Sequence, residues 1–290
     1  MKTMNSRLSM LDPIRAEPKI ESEEIVRELL IATQTHEPPT KAERIAAYLN
    51  LDIVEYDPYT PPYNLPHNIR AFLIPTSRLI GVQRELTKKQ KTFSVLHEVG
   101  HFVLPGHATR PSLLDEKGFI IQDTNDKLSI TTTIEQEIEA NRFAADCIFQ
   151  LNRFDYRVHK EELNWENIVT AANDYGASFE ATARRWIERS HDECGLIVFD
   201  PKDKTSGSPL RIMYTITSES FAEAYFAGVM PGYEMDEDTL VYKLFYQLPD
   251  NTVKDILRVN IASKGIVEFS MTLFTNSYRV LGLLTPLTNS

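Results

Sequence analysis

The chain has 290 residues, 42% apolar and 25% charged, which is enough for one large domain or two ordinary ones with a real core. Its net charge of −10 argues against general binding to nucleic acid or anionic membranes, because a phosphate surface would repel it at long range. No stretch approaches the roughly 20 apolar residues of a membrane helix, and the N-terminus carries no signal-like apolar run, so a cytoplasmic protein is expected.

Residues 1–20 read as a flexible polar tail. A helix is predicted over 23–34, ended by "HEPPT". Thr40 and Glu43 have the spacing of a capping box and predict a second helix through Asn50. "LDIVEYD" alternates as a short strand, and the proline-rich "DPYTPPYNLPHN" after it must be a loop, since its prolines cannot donate to a ladder. "IRAFLIP" and "LIGVQR" then read as a hairpin across "TS". Thr87 and Gln90 repeat the capping-box spacing and open a helix from 88 to about 104, stopped by Pro105-Gly106. Phe93, Leu96, Val99, Gly100 and Val103 recur at helical spacing and form its buried face.

Further helices are predicted at 134–149, 160–173 and 178–190. The basic "ARRWIERS" of the last is expected to serve packing more than DNA. From Cys194 the texture becomes β-rich: "GLIVFD", "LRIMYTI", "LVYKLFYQL", "ILRVNIAS", "IVEFSMTLF" and "YRVLGLL" read as strands, and "SFAEAYF" as a helical insertion. Cys147 and Cys194, the only cysteines, read as buried reduced thiols. The fold class expected is α+β. A first domain, 21–191, has a small sheet plus helices and includes the segment at about 160–190; a second, β-rich α+β domain spans 192–290.

The chemistry lies in His97-Glu98-Val99-Gly100-His101. On a helix, residues i and i+4 share a face, so both imidazoles can point at one ion. Glu98 is turned from them by about 100°, placed to take a proton from a metal-activated water as that water attacks a carbonyl. Three residues compete to complete the site. His107 stands at the spacing of H-E-x-x-H-x-x-G-x-x-H, but Leu104 occupies the position that pattern gives to glycine. On helix 134–149, Glu139 shares a face with Arg142, Phe143 and Asp146, which reads as a solvent edge. Glu137 shares its face with the small Ala140 and Ala144, which let two helices approach, and with Asn141, placed to orient a ligand from behind. Glu137 is the choice, ahead of Glu139 and His107.

"TFSVLHEVGHFVL" followed by "EQEIEANRFAADCIF" resembles the ImmA/IrrE family of metallopeptidases, which pairs an F-[ST]-x-x-H-E-x-G-H helix with an E-x-E-A-N-x-F-A-A helix. The resemblance covers about residues 24–190, and within it "ANDYGASFEATARRWIE" resembles the family's helix-turn-helix-like segment, here at about 160–190. It implies a gluzincin-type zinc core, one ion per chain, with His97, His101 and Glu137 as ligands and Glu98 as general base. It also implies an intracellular protease that cuts a helix-turn-helix repressor and so derepresses genes in a phage-induction or stress response. Two features depart from the family pattern. "IFQLN" stands where members have a Leu-Met-Pro-like close, and the β-rich C-terminal region has only a loose, sensor-like analogue. A His₂Glu set also accepts manganese or iron(II). The other function class is a regulatory protein that kept the fold but binds without cutting, through its C-terminal domain or the helix-turn-helix-like segment.

Overall fold

A computed structural model describes residues 22–59, 69–107, 112–115, 133–203, 207–225, 234–248, 252–261 and 264–287. The expected tail at 1–20 and most of the Pro/Tyr-rich loop lie outside the described residues. The chain divides into two compact units. One takes the described residues up to Phe154 together with Asp174–Ala177; the other takes Asp155–Asn173 and the described residues from Ser178 onward.

The first unit opens with helices α1 (Ser22–Ala32) and α2 (Ala42–Tyr48). The Thr40/Glu43 capping box does not form. Lys41 is the N-cap of α2, and the buried Thr40 hydroxyl donates instead to the Cys147 carbonyl at 2.7 Å. A local cap here yields to a tertiary hydrogen bond in the core.

Four strands make one sheet in the order β1-β3-β2-β4: β1 (Asp52–Tyr56), β2 (Ile69–Ile74), β3 (Leu79–Gln83) and β4 (Ser112–Asp115). The hairpin is β2–β3, antiparallel, while β1 pairs parallel to β3. Strand β3 is therefore interior, paired on both sides.

Helices α3 (Lys88–Val103) and α4 (Ile134–Phe149) dominate the unit. Both start in reciprocal capping boxes, Thr87 with Gln90 and Thr133 with Gln136, so two orphan N–H groups are satisfied at each start. They cross where side chains are small. A Cβ built on Gly100 would lie 3.1 Å from Phe143 Cδ1 and 3.3 Å from Ala140 Cα. Gly100→Val is accordingly expected to overpack this crossing and cost about 1–3 kcal/mol, read as a lowered midpoint of denaturant unfolding followed by circular dichroism. An unchanged midpoint would mean that the helices separate without penalty.

Past Phe149 the chain turns through Gln150 and Leu151, both left-handed at φ 57° and 51°. The Gln150 amide donates to the Thr35 carbonyl and to the Thr40 hydroxyl, which anchors this turn at the "IFQLN" departure. Helix α5 (Asn152–Lys160) follows, an element the sequence reading does not anticipate.

The second unit holds α6 (Trp165–Asp174, all but its last residue), α7 (Phe179–Arg189) and an all-antiparallel six-stranded sheet. Its strands are β5 (Gly195–Pro201), β6 (Leu210–Thr217), β7 (Glu234–Met235), β8 (Thr252–Ile261), β9 (Gly265–Thr275) and β10 (Val280–Pro286), in the order β7-β6-β5-β10-β9-β8. Helices α8 (Glu219–Tyr225) and α9 (Leu240–Tyr246) contribute Phe221, Val241 and Leu244 to its core.

Helix α9 corrects the strand expected at "LVYKLFYQL". Leu240, Val241 and Leu244 fall at helical spacing, and Thr239 caps the first turn by accepting from the Tyr242 N–H. Buried helical spacing and a cap outweigh the β-propensity of Val, Tyr and Phe.

The sequence boundary at 191/192 gives α7 to the first domain, whereas α7 packs within the second unit. Trp165, Phe179 and Phe274 stack with centroids 4.4–5.6 Å apart. Glu180 receives both a bidentate bond from Arg279 at 2.8 Å and the Tyr214 hydroxyl at 2.6 Å. Of the basic run on α7, Arg184 pairs with Glu188, Arg185 is buried and Arg189 faces Asp155.

Candidate metal centre

Helix α3 places His97 and His101 one turn apart on the face turned towards α4, and α4 places Glu137 and Asn141 one turn apart opposite them. The His97 and His101 Nε2 atoms lie 3.0 Å apart, His97 Nε2 lies 3.2 Å from one Glu137 oxygen, and His101 Nε2 lies 3.0 Å from the other. All three side chains are buried, and each offers a donor atom within 4.8 Å of the others. Among the described residues this is the one group of three or more His, Cys, Asp or Glu side chains so arranged.

The hydrogen-bond partners fix what each atom presents. His97 Nδ1 is 3.0 Å from Asn141 Oδ1. A carbonyl oxygen only accepts, so the His97 hydrogen sits on Nδ1 and its Nε2 turns a lone pair into the cluster. Burial draws the His101 imidazole down to about 4, against the opposing pull of Glu137, and keeps it neutral at neutral pH. A divalent ion takes imidazole in this neutral form and carboxylate in its ionised form.

Both oxygens of Glu137 are buried and have no hydrogen-bond partner. Three lone-pair donors facing one another in a dry interior are costly by themselves and fit a cation among them. The residues present therefore suit a His₂Glu metal site.

Glu98 is also fully buried, next to His97 on α3. Burial, and after it the charge of Glu98, push the Tyr56 hydroxyl well above its usual pKa. Tyr56, which donates to the Ile69 carbonyl, is thus a neighbour of Glu98 that the sequence does not announce.

The two competing residues land beside the cluster and not in it. His107 Nδ1 lies 3.2 Å from His101 Nδ1, and its Nε2 lies 2.8 Å from Glu139 Oε2. Phe143 and Asp146, expected with Glu139 on a solvent edge, are wholly buried. The signal for His107 is present in "LPGH". Proline at the second place and glycine at the third make a type II turn, closed by His107 N–H on the Leu104 carbonyl, with Gly106 at φ 84°. That turn folds the chain back over the end of α3.

The sequence model of peptidase family M78, described as an IrrE N-terminal-like domain, matches residues 46–186, which include both helices of the cluster. Residues 46–186 therefore form a domain of the ImmA/IrrE family. Membership in a family of metallopeptidases implies a metal, and the buried trio is where this chain could hold one. Among solved structures, a Mycobacterium tuberculosis transcriptional regulator resembles this protein over 91% of this chain and 76% of its own, with a TM-score of 0.53. At 14% identity that likeness is one of fold. No curated protein matches the chain in sequence.

Proposed function

We propose that this protein is a zinc-dependent endopeptidase acting on a protein, namely a helix-turn-helix transcriptional repressor. The observation that carries the reading is the convergence of His97, His101 and Glu137 at the α3–α4 crossing, with Glu98 buried one residue from His97. His97, His101 and Glu137 would hold one ion per chain. Bound there, zinc supplies a Lewis acid that acidifies water and polarises a peptide carbonyl. Glu98 takes the proton released in the attack and returns it to the leaving amine. Asn141 keeps His97 in the tautomer that leaves Nε2 free.

The choice of a repressor as substrate rests on the family resemblance. A cytoplasmic location goes with it, and among the described residues no helix is long and apolar enough to cross a membrane. The β-rich region from 192 onward, which has its own core, is assigned a sensor-like regulatory role.

Mapping of new protein N-termini by mass spectrometry, in cells with and without the chain, tests the reading. A neo-terminus within a helix-turn-helix repressor that depends on the intact chain is expected. Regulation of the same genes with no new terminus would instead identify a binding protein on the same fold.

A further inference from the structure

We propose that His107 and Glu139 are positioning residues that set the tautomer and orientation of His101, an inference that rests on the metal-site reading above. Glu139, on α4, has a side chain 61% exposed, and its carboxylate can only accept. The hydrogen between it and His107 must therefore sit on His107 Nε2, across 2.8 Å. With its ring hydrogen placed there, His107 turns a lone pair on Nδ1 the other way. That atom faces His101 Nδ1 at 3.2 Å, so the His101 hydrogen lies on Nδ1. What remains is a His101 Nε2 lone pair aimed at Glu137 and His97. The result matches what Asn141 achieves for His97, but by a relay of two side chains instead of one.

The surrounding backbone is built to present His107. The Leu104–His107 turn sets its direction, and the Gln136 amide donates to the Gly106 carbonyl at 2.9 Å. The Gln136 oxygen meanwhile accepts from the Thr133 N–H at the start of α4. One side chain thus ties the turn carrying His107 to the helix carrying Glu137 and Glu139. His107 is 3% exposed, so its link to His101 is sheltered, whereas the Glu139 end is screened by water. Most of the effect should reside in His107.

The test is cobalt(II) binding by the full chain, followed by visible absorption and by competition with a chelator. Wild type and Glu137→Ala decide the underlying reading: an ion bound by neither would overturn that reading. Given a wild type that binds, His107→Ala should bind about 10–100-fold more weakly, with a shifted cobalt spectrum. His107→Asn, which restores an acceptor near the Nδ1 position, should recover most of the affinity. Glu139→Gln, which still accepts from His107, should change affinity less than His107→Ala does. Wild-type affinity and spectrum in His107→Ala would overturn the proposal while leaving the metal site standing. So would a loss as complete as that of Glu137→Ala with no recovery in His107→Asn, because His107 would then be a ligand itself.

Discussion

Glu98→Gln is expected to leave the bound ion in place and to slow peptide cleavage by a factor of about 10²–10⁴. The carboxamide has nearly the shape of the carboxylate, and Glu98 is fully buried, so the packing around α3 should persist. What changes is basicity: an amide oxygen cannot take a proton from the attacking water or return it to the amine. A rate loss of that size is about 3–5 kcal/mol of transition-state stabilisation. Metal analysis and cleavage of the mapped substrate are measured on the same preparation. If the ion stays and cleavage continues at the wild-type rate, Glu98 is not the base. If the ion stays and gene regulation is unchanged while no cleavage is found in either protein, the chain acts by binding.

Glu137→Ala is expected to reduce the metal found by elemental analysis from about one ion per chain to nearly none. Structural zinc sites with their full ligand set have apparent binding energies of about 10–16 kcal/mol, so removing one of three protein ligands forfeits roughly 3–5 kcal/mol, two to four orders of magnitude in affinity. The metal-free fold should tolerate the change. Glu137 is a buried carboxylate whose oxygens meet lone pairs, so truncation relieves a cost as well as removing contacts. Circular dichroism of the metal-free forms should coincide. Retention of a full equivalent of ion would mean that Glu139 or His107 can supply the third ligand after all.

Much of this arrangement was legible in the sequence because the decisive signals are local. Thr87 and Gln90 fix the start of α3, so the phase of His97, Glu98 and His101 follows from helical geometry alone. The choice between Glu137 and Glu139 turned on which face of α4 carries small side chains, and Ala140 and Ala144 are fully buried. The strands from β8 to β10 were visible as β-type runs between turn residues.

What was not legible depends on partners distant in sequence. Thr40 has a cap's spacing but bonds to Cys147, which no local pattern reveals. The parallel pairing of β1 with β3 needs a crossover that periodicity does not encode. "LVYKLFYQL" carries both a strand's composition and a helix's spacing, and only its packing through Val241 and Leu244 decides between them. The relation of His107 to His101 was half visible. The turn can be read from Pro105-Gly106, but the tautomer chain needs distances.

Every polar side chain at the centre of the cluster is mounted on one helix pair: His97 and His101 on α3, Glu137 and Asn141 on α4. An ion held there is a reversible cross-link between two separate stretches of backbone, and its binding energy is at the same time folding energy of the first unit. By linkage, free ion at 100 times its dissociation constant adds about 2.7 kcal/mol of stability. Both tryptophans, Trp165 and Trp186, belong to the second unit, so their fluorescence reports that unit. Circular dichroism reports both. A chelator would therefore act on the first unit's stability as directly as on its chemistry, which makes the availability of the ion in the cell a determinant of how much of this protein stays folded.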